Sequence, residues 1–333
     1  MVKVFLGRPC GKSFTDLNIQ QAQNQFLYVN IAVVIICVGT EIYFSGQFKT
    51  VPPPVAVQGP RRLALDCKGR RLGNLMFNYA ALLGIAKRNH MLPVFPDGLI
   101  LGDTFNLKMT SGYFDYNFGM YVDHKEFGAR ACAYDRTTEN LEKKDINIRL
   151  LGYYQSWKYF ENVKDELREH FTFKSYIIKA AMAYMQYLIP HEYSGKNYVK
   201  VGVHIRRGDM TVEYFTNYGY VTADAKYIHR AMEYIRNKFV NVLFIVCSDD
   251  IKWCKENIKA RDAVFSESND MTTDMVILAN CQHTIMTVGS FGWWSAWLAN
   301  GTTIYYKDWP RPVSYLEYQV EKTDYFPPHW IPM

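Results

Sequence analysis

His204-Ile205-Arg206-Arg207-Gly208-Asp209 gathers one imidazole, two guanidiniums and a carboxylate within six residues. The segment leaves a strand, 199–205, in which Val199, Val201, Val203 and Ile205 alternate with Lys200 and Gly202. Arginine offers a planar fork that matches phosphate oxygens, so Arg206 and Arg207 at a strand exit form a clamp for a diphosphate. The competing reading is a structural ion pair between Arg207 and Asp209 with the rest in solvent. Arg207-Gly208-Asp209 also spells an adhesion tripeptide, but the exit of a buried strand is a poor place for an exposed adhesive loop.

Other segments carry related chemistry. In Ser248-Asp249-Asp250 a carboxylate at a strand end is placed to accept hydrogen bonds from a ribose or a purine edge, or else simply to cap the next helix. Val288-Gly289-Ser290-Phe291-Gly292 lets backbone N–H groups at a helix start approach a phosphate. Lys68-Gly69-Arg70-Arg71-Leu72-Gly73-Asn74 is a further glycine-bearing loop between a strand and a helix, without the full GxGxxG spacing. The run 150–160 (LLGYYQSWKYF) mixes aromatics with polar groups, which suits either a sugar platform or plain core.

The elements that must position these groups are an alternation of short apolar strands and amphipathic helices. Strands are predicted at 199–205, 242–247, 263–265, 284–288 and 303–306, with helices at 222–239, 250–258, 273–280 and 292–299. Strand 63–65 and helix 75–88 open the less regular region before them. The pattern predicts an α/β fold with parallel sheets, two domains facing a cleft, and ligand outside the carboxyl ends of the strands.

The chain has 333 residues, 49% of them hydrophobic and 16% aromatic, enough to bury a sizeable core. A net charge of +6, dispersed along the sequence, excludes a nucleic-acid footprint and leaves small anions open. Residues 26–44 (FLYVNIAVVIICVGTEIYF) are apolar for almost the length of a bilayer crossing and read as an uncleaved signal-anchor. Lys3, Arg8 and Lys12 favour a cytosolic tail over 1–25, and proline-rich 45–62 reads as a stem. The domains expected beyond it are 63–196, on the acceptor side, and 197–333, on the donor side. Of seven cysteines, Cys10 and Cys37 fall in the tail and span. That leaves Cys67, Cys132, Cys247, Cys254 and Cys281 in an oxidising lumen, an odd number that cannot all pair within the chain. Asn300-Gly301-Thr302 is the one glycosylation sequon.

Five ordered blocks, in 69–80, 152–160, 203–209, 244–258 and 283–299, together resemble glycosyltransferase family 11, the α-1,2-fucosyltransferases, especially its nematode branch. The resemblance implies a GT-B-like fold of two Rossmann-like domains facing a cleft, preceded by an N-terminal transmembrane helix. It implies GDP-fucose as donor, inversion at the fucose anomeric carbon, a terminal β-galactoside as acceptor, a Golgi membrane location and no metal or other cofactor. Arg206 is then expected at the β-phosphate with Arg207 beside it, and His204 with Asp249 or Asp250 at the guanosine. Ser290 and Phe291 would close over the diphosphate, and Arg71, Gly73 and Asn74 would reach the donor from the other domain.

Inversion also needs a proton acceptor for the attacking hydroxyl, for which Asp209 is the first candidate and Glu213 the next. His124, His170 and His283 are more ordinary as surface or core histidines. The sequence departs from the family pattern GNQMFQYA at Leu75 and Asn78. The alternatives are a metal-dependent transferase with Asp249 and Asp250 on a divalent cation, a protein O-fucosyltransferase, and a membrane-tethered glycan-binding protein without turnover.

Overall fold

The computed structural model describes residues 60–96, 99–108, 111–112, 121–141, 146–193 and 195–333. The expected tail, signal-anchor and nearly all of the stem, with Cys10 and Cys37, lie outside the described residues. Among the described residues no helix is long and apolar enough to cross a membrane.

Two parallel sheets carry the fold. The first contains β1 (Arg62–Leu65), β2 (Leu92–Pro96), β3 (Ser111–Gly112), β4 (Tyr121–Lys125) and β5 (Asn147–Leu151) in the order β3-β2-β1-β5-β4. The second contains β6 (Val199–Ile205), β7 (Val242–Ser248), β8 (Ala263–Phe265), β9 (His283–Met286), β10 (Thr303–Tyr305) and β11 (Ile331–Pro332), ordered β11-β10-β9-β6-β7-β8. The centre of the second sheet is apolar on both faces, as parallel strands covered by helices require: β7 reads VLFIVCS and is buried up to its last residue. Its register sets His204 of β6 beside Cys247 of β7 and Met286 of β9, so the three central strands end together.

Five longer helices cover the sheets: α1 (Leu72–Arg88), α2 (Ser175–Leu188), α3 (Ala225–Lys238), α4 (Met271–Ala279) and α5 (Ser290–Ala299). α3 is amphipathic, burying Tyr227, Ile228, Ala231, Met232 and Ile235, and Asp224 caps it by accepting the Tyr227 N–H. α1 is apolar almost all round because it lies between the two halves, where every face meets protein. Phe77 of α1 packs 4.7 Å from Trp293 and 5.1 Å from Trp294 of α5, and Phe160 stacks on Trp294 at 5.3 Å. One buried cluster therefore runs from the first sheet into the second.

The packing does not follow a split at 196/197. α2, expected with the first half, packs on the second sheet through Met185, which shares a buried cluster with Leu243, Ile245 and Ile277. The C-terminal stretch returns to the first half, where the Cys132 N–H donates to the Gln319 carbonyl and the Tyr134 N–H to Asp324. All five cysteines among the described residues are buried free thiols. The odd count thus corresponds to apolar packing groups, with no bridge among the described residues.

Candidate active site

In an open parallel sheet a ligand crevice forms where the strand order reverses, because the loops leaving the two central strands diverge to opposite faces. The second sheet reverses between β6 and β9, so Arg206–Asp209 and Thr287–Phe291 leave from its crevice. The first reverses between β1 and β5, from which 66–71 and 152–155 leave. The two crevices face each other. The Ser290 hydroxyl donates to Asn74 Oδ1 at 2.6 Å, Gln155 Nε2 donates to the same oxygen at 2.8 Å, and Arg71 Nη1 reaches Asp209 Oδ2 at 3.3 Å.

The start of α1 lies against the start of α5. A Cβ at Gly73 would fall 2.7 Å from the Phe291 nitrogen and the Ser290 carbonyl carbon, so only glycine permits this approach. Gly289, at φ 94°, turns the chain from β9 into α5 through a conformation that side chains disfavour. Each helix brings first-turn N–H groups without intrahelical acceptors and the positive end of its dipole to the same cleft. That is an anion site before any side chain is counted.

Arg206 adds a fixed cation. Its N–H donates to Thr287 Oγ1 at 2.9 Å, tying the exits of β6 and β9 together. Its guanidinium lies between Asp209 Oδ1 at 2.6 Å and Asp249 Oδ2 at 2.8 Å. Asp249 Oδ1 also accepts the Arg207 N–H at 2.8 Å, so this carboxylate organises the loop after β6. Arg207 points elsewhere: its guanidinium lies over the Trp253 ring at 3.8 Å, and its Nε is 3.4 Å from Asp250 without a hydrogen bond. The two arginines therefore do not form one clamp; Arg206 faces the crevice and Arg207 packs beneath it. The competing Arg207–Asp209 pair does not form; Asp209 pairs with Arg206 instead. Asp250 caps the helix Ile251–Asn257 by accepting the Trp253 N–H.

His204 is 6% exposed and its Nδ1 has no hydrogen-bond partner. Burial, with Arg206 as a second cause, pushes its pKa down to about 3, so the ring is neutral in ordinary buffers. Among the described residues no group of three or more His, Cys, Asp or Glu side chains is placed to hold a metal ion.

Residues 63–333 match the family model described as Glycosyl transferase family 11. The chain belongs to this family. It is 30% identical over 323 residues to the Bos taurus protein named Galactoside 2-alpha-L-fucosyltransferase SEC1, covering 90% of this chain and 84% of that one. It is also 30% identical over 275 residues to Galactoside alpha-(1,2)-fucosyltransferase 2 of Bos taurus, covering 78% and 76%. Among solved structures it is similar to NodZ alpha-1,6-fucosyltransferase soaked with GDP-fucose, with a TM-score of 0.48, 14% identity, and coverage of 74% and 95%. As a family 11 member the chain is a glycosyltransferase.

The family 11 chain brings Arg71, Gly73, Asn74, His204, Arg206, Asp209, Asp249, Ser290 and Phe291 to one cleft, with Arg207 and Asp250 behind it. The three histidines weighed as alternative bases have structural partners. His283 stacks on Phe239 at 4.1 Å and accepts the Thr302 N–H, His170 pairs with the Tyr79 hydroxyl, and His124 pairs with Thr137. The two departures from the family pattern are accounted for by packing. Leu75 is buried in the shared core, and Asn78 takes a hydrogen bond from Arg70 at 2.7 Å while donating to the Tyr153 carbonyl at 2.9 Å.

Sequence reasoning missed Glu126. It follows β4, is 7% exposed, and its two oxygens accept the N–H groups of Tyr153 and Tyr154 at 2.9 and 2.8 Å, shaping the loop after β5. Nothing in the local pattern marks it, since its partners are backbone groups 27 and 28 residues away. Burial raises its pKa from the ordinary 4.5 to about 7, against the two N–H groups that favour the anion. Between about pH 4.5 and 7 the unfolded chain releases this proton and the folded chain keeps it, so stability falls as pH rises through that window. Relative to Glu126→Gln, the wild type is expected to lose about 3 kcal/mol across it, read from urea unfolding at both ends. A pH-independent difference would overturn the assignment of that cost to Glu126.

Proposed function

We propose that this chain transfers L-fucose from GDP-fucose, with inversion, to the 2-hydroxyl of a terminal β-galactoside. We further propose that its sheets form a GT-B-like pair around the donor, and that residues 26–44 anchor it as a single-pass type II protein of the Golgi membrane. The observation that carries the reading is Arg206, held by two carboxylates at the reversal of one sheet and facing two helix starts. Breaking the sugar–phosphate bond leaves the diphosphate with added negative charge and the fucose resembling an oxocarbenium ion. Fixed positive charge beside the leaving oxygen therefore stabilises the transition state more than the ground state.

In this reading Arg206 takes the β-phosphate, Arg71 approaches it from the first half, and the N–H groups of Ser290 and Phe291 take further phosphate oxygens. His204 and one carboxylate of Asp249-Asp250 are left for the nucleoside; Asp249 is held by Arg206 and the Arg207 N–H, and Asp250 by the Trp253 N–H. The same engagement disfavours a divalent cation on Asp249 and Asp250, since a metal would have to displace guanidiniums already in place.

The test is the full-length chain, extracted in mild detergent and given GDP-fucose with a panel of terminal galactosides in EDTA. Transfer to the galactose 2-hydroxyl, with products resolved by linkage, is expected to survive the chelator. Transfer only to folded protein domains, dependence on added divalent metal, or glycan binding without release of GDP would each overturn the reading.

A further inference from the structure

A second cavity, of about 450 Å³, lies at the end of α5 away from the donor crevice. Trp157, Trp297 and Trp330 line it, together with Asp165, Arg168 and Asn300. Trp157 comes from the aromatic run 150–160, beyond the residues 152–155 that reach the donor crevice. Asn300 is the acceptor asparagine of the sequon, so a sequence motif and a cavity coincide at one side chain.

The geometry around Asn300 is fixed. It ends α5 in the left-handed conformation, at φ 58°, and is exposed. Arg168 lies over the Trp297 ring at 4.2 Å and donates through Nη2 to the Trp297 carbonyl at 3.1 Å and to Asn300 Oδ1 at 2.8 Å. Holding Oδ1 against the guanidinium turns Nδ2, the atom that would carry a sugar, to the other side of the amide.

We propose that Asn300 Nδ2 carries an N-linked glycan whose first N-acetylglucosamine rings occupy this cavity. The half-buried Trp157 indole takes the apolar face of a pyranose, Arg168 already covering a face of Trp297, and the charged rim supplied by Asp165 and Lys164 takes hydroxyl and acetamide hydrogen bonds. The volume falls within the roughly 300–1,000 Å³ of small-ligand sites. A sugar tethered to a lining residue is present at an effective concentration on the order of millimolar or more, so weak contacts suffice to hold it. The covalent step belongs to the host: Nδ2 bonds to the anomeric carbon of a lipid-linked oligosaccharide, and lipid diphosphate and one proton are released. The inference rests on the lumenal placement proposed above.

The experiment expresses the full-length chain in eukaryotic cells. Glycopeptide mass spectrometry is expected to find Asn300 occupied, Thr302→Ala to abolish the modification and Thr302→Ser to keep it. An endoglycosidase that cuts between the first two sugars should release the glycan from native protein at least about tenfold more slowly than from denatured protein, as for a bond reached only through local opening. Trp157→Ala should bring the native rate towards the denatured one, and His329→Ala, at the exposed rim, serves if the tryptophan variant does not fold. An unmodified Asn300 in protein that transfers fucose, or equal native and denatured rates, would overturn the inference. An occupied, protected Asn300 in a protein without transfer would support it and count against the proposed function alone.

Discussion

Arg206→Ala is expected to lower kcat for fucose transfer by roughly 10²–10³-fold, the scale of removing one preorganised donor from a developing oxyanion. The magnitude follows from how the side chain is held. Its N–H is bound to Thr287 and its guanidinium to Asp209 and Asp249, so little reorganisation accompanies the reaction. Alanine also leaves those two carboxylates facing the crevice without their cation, which repels a diphosphate on top of the lost attraction. Arg206→Lys should fall between, since it restores the charge as a point and loses the fork. The measurement is kcat at saturating donor, with KM for GDP-fucose determined separately. A rise in KM with kcat unchanged would make Arg206 a ground-state anchor and remove it from the chemical step.

How much of this was legible in the sequence depended on where a strand lies in its sheet. β6 and β8 appear with the predicted bounds, and β7, β9 and β10 within one or two residues, because their apolar runs are framed by helices. β4, at the edge of the first sheet, reads YVDHK with its side chains largely outside the core, so no alternation marks it. β2 carries prolines at both Pro93 and Pro96, which argue against a strand until its partners are known. Helix starts shifted where a cap was overlooked: α4 begins at Met271 because Asp270 accepts the N–H groups of Thr272 and Thr273. At the site, residue types pointed to an anion, but geometry divided the labour. Only packing against Trp253 separates Arg207 from Arg206, and only the sheet pairing joins Arg206 to Thr287. Glu126 was silent for the same reason, since its role exists only through distant backbone groups.

Asp209→Asn is expected to reduce kcat by roughly 10²–10⁴-fold and to abolish the acidic limb of the pH–rate profile, as removal of a general base does. In the structure both Asp209 oxygens face guanidiniums, Oδ1 towards Arg206 and Oδ2 towards Arg71 across the cleft. Both oxygens are thereby engaged, and a diphosphate that binds the same two arginines would release them. The Arg71 contact is easily surrendered, because that side chain is 74% exposed and an exposed pair contributes little. Donor binding would then free Asp209 beside the incoming hydroxyl only when there is a donor to react. The same competition predicts that the asparagine variant binds GDP at least as tightly as the wild type, since the arginines no longer have a rival anion. Weaker GDP binding with the acidic limb intact would make Asp209 a strut for Arg206 and nothing more. Glu213, exposed at the start of the helix Glu213–Tyr218, is the comparison, and Glu213→Gln should leave both the limb and kcat nearly unchanged. If the limb disappears there instead, the proton goes to Glu213, and Asp209 serves only to position Arg206.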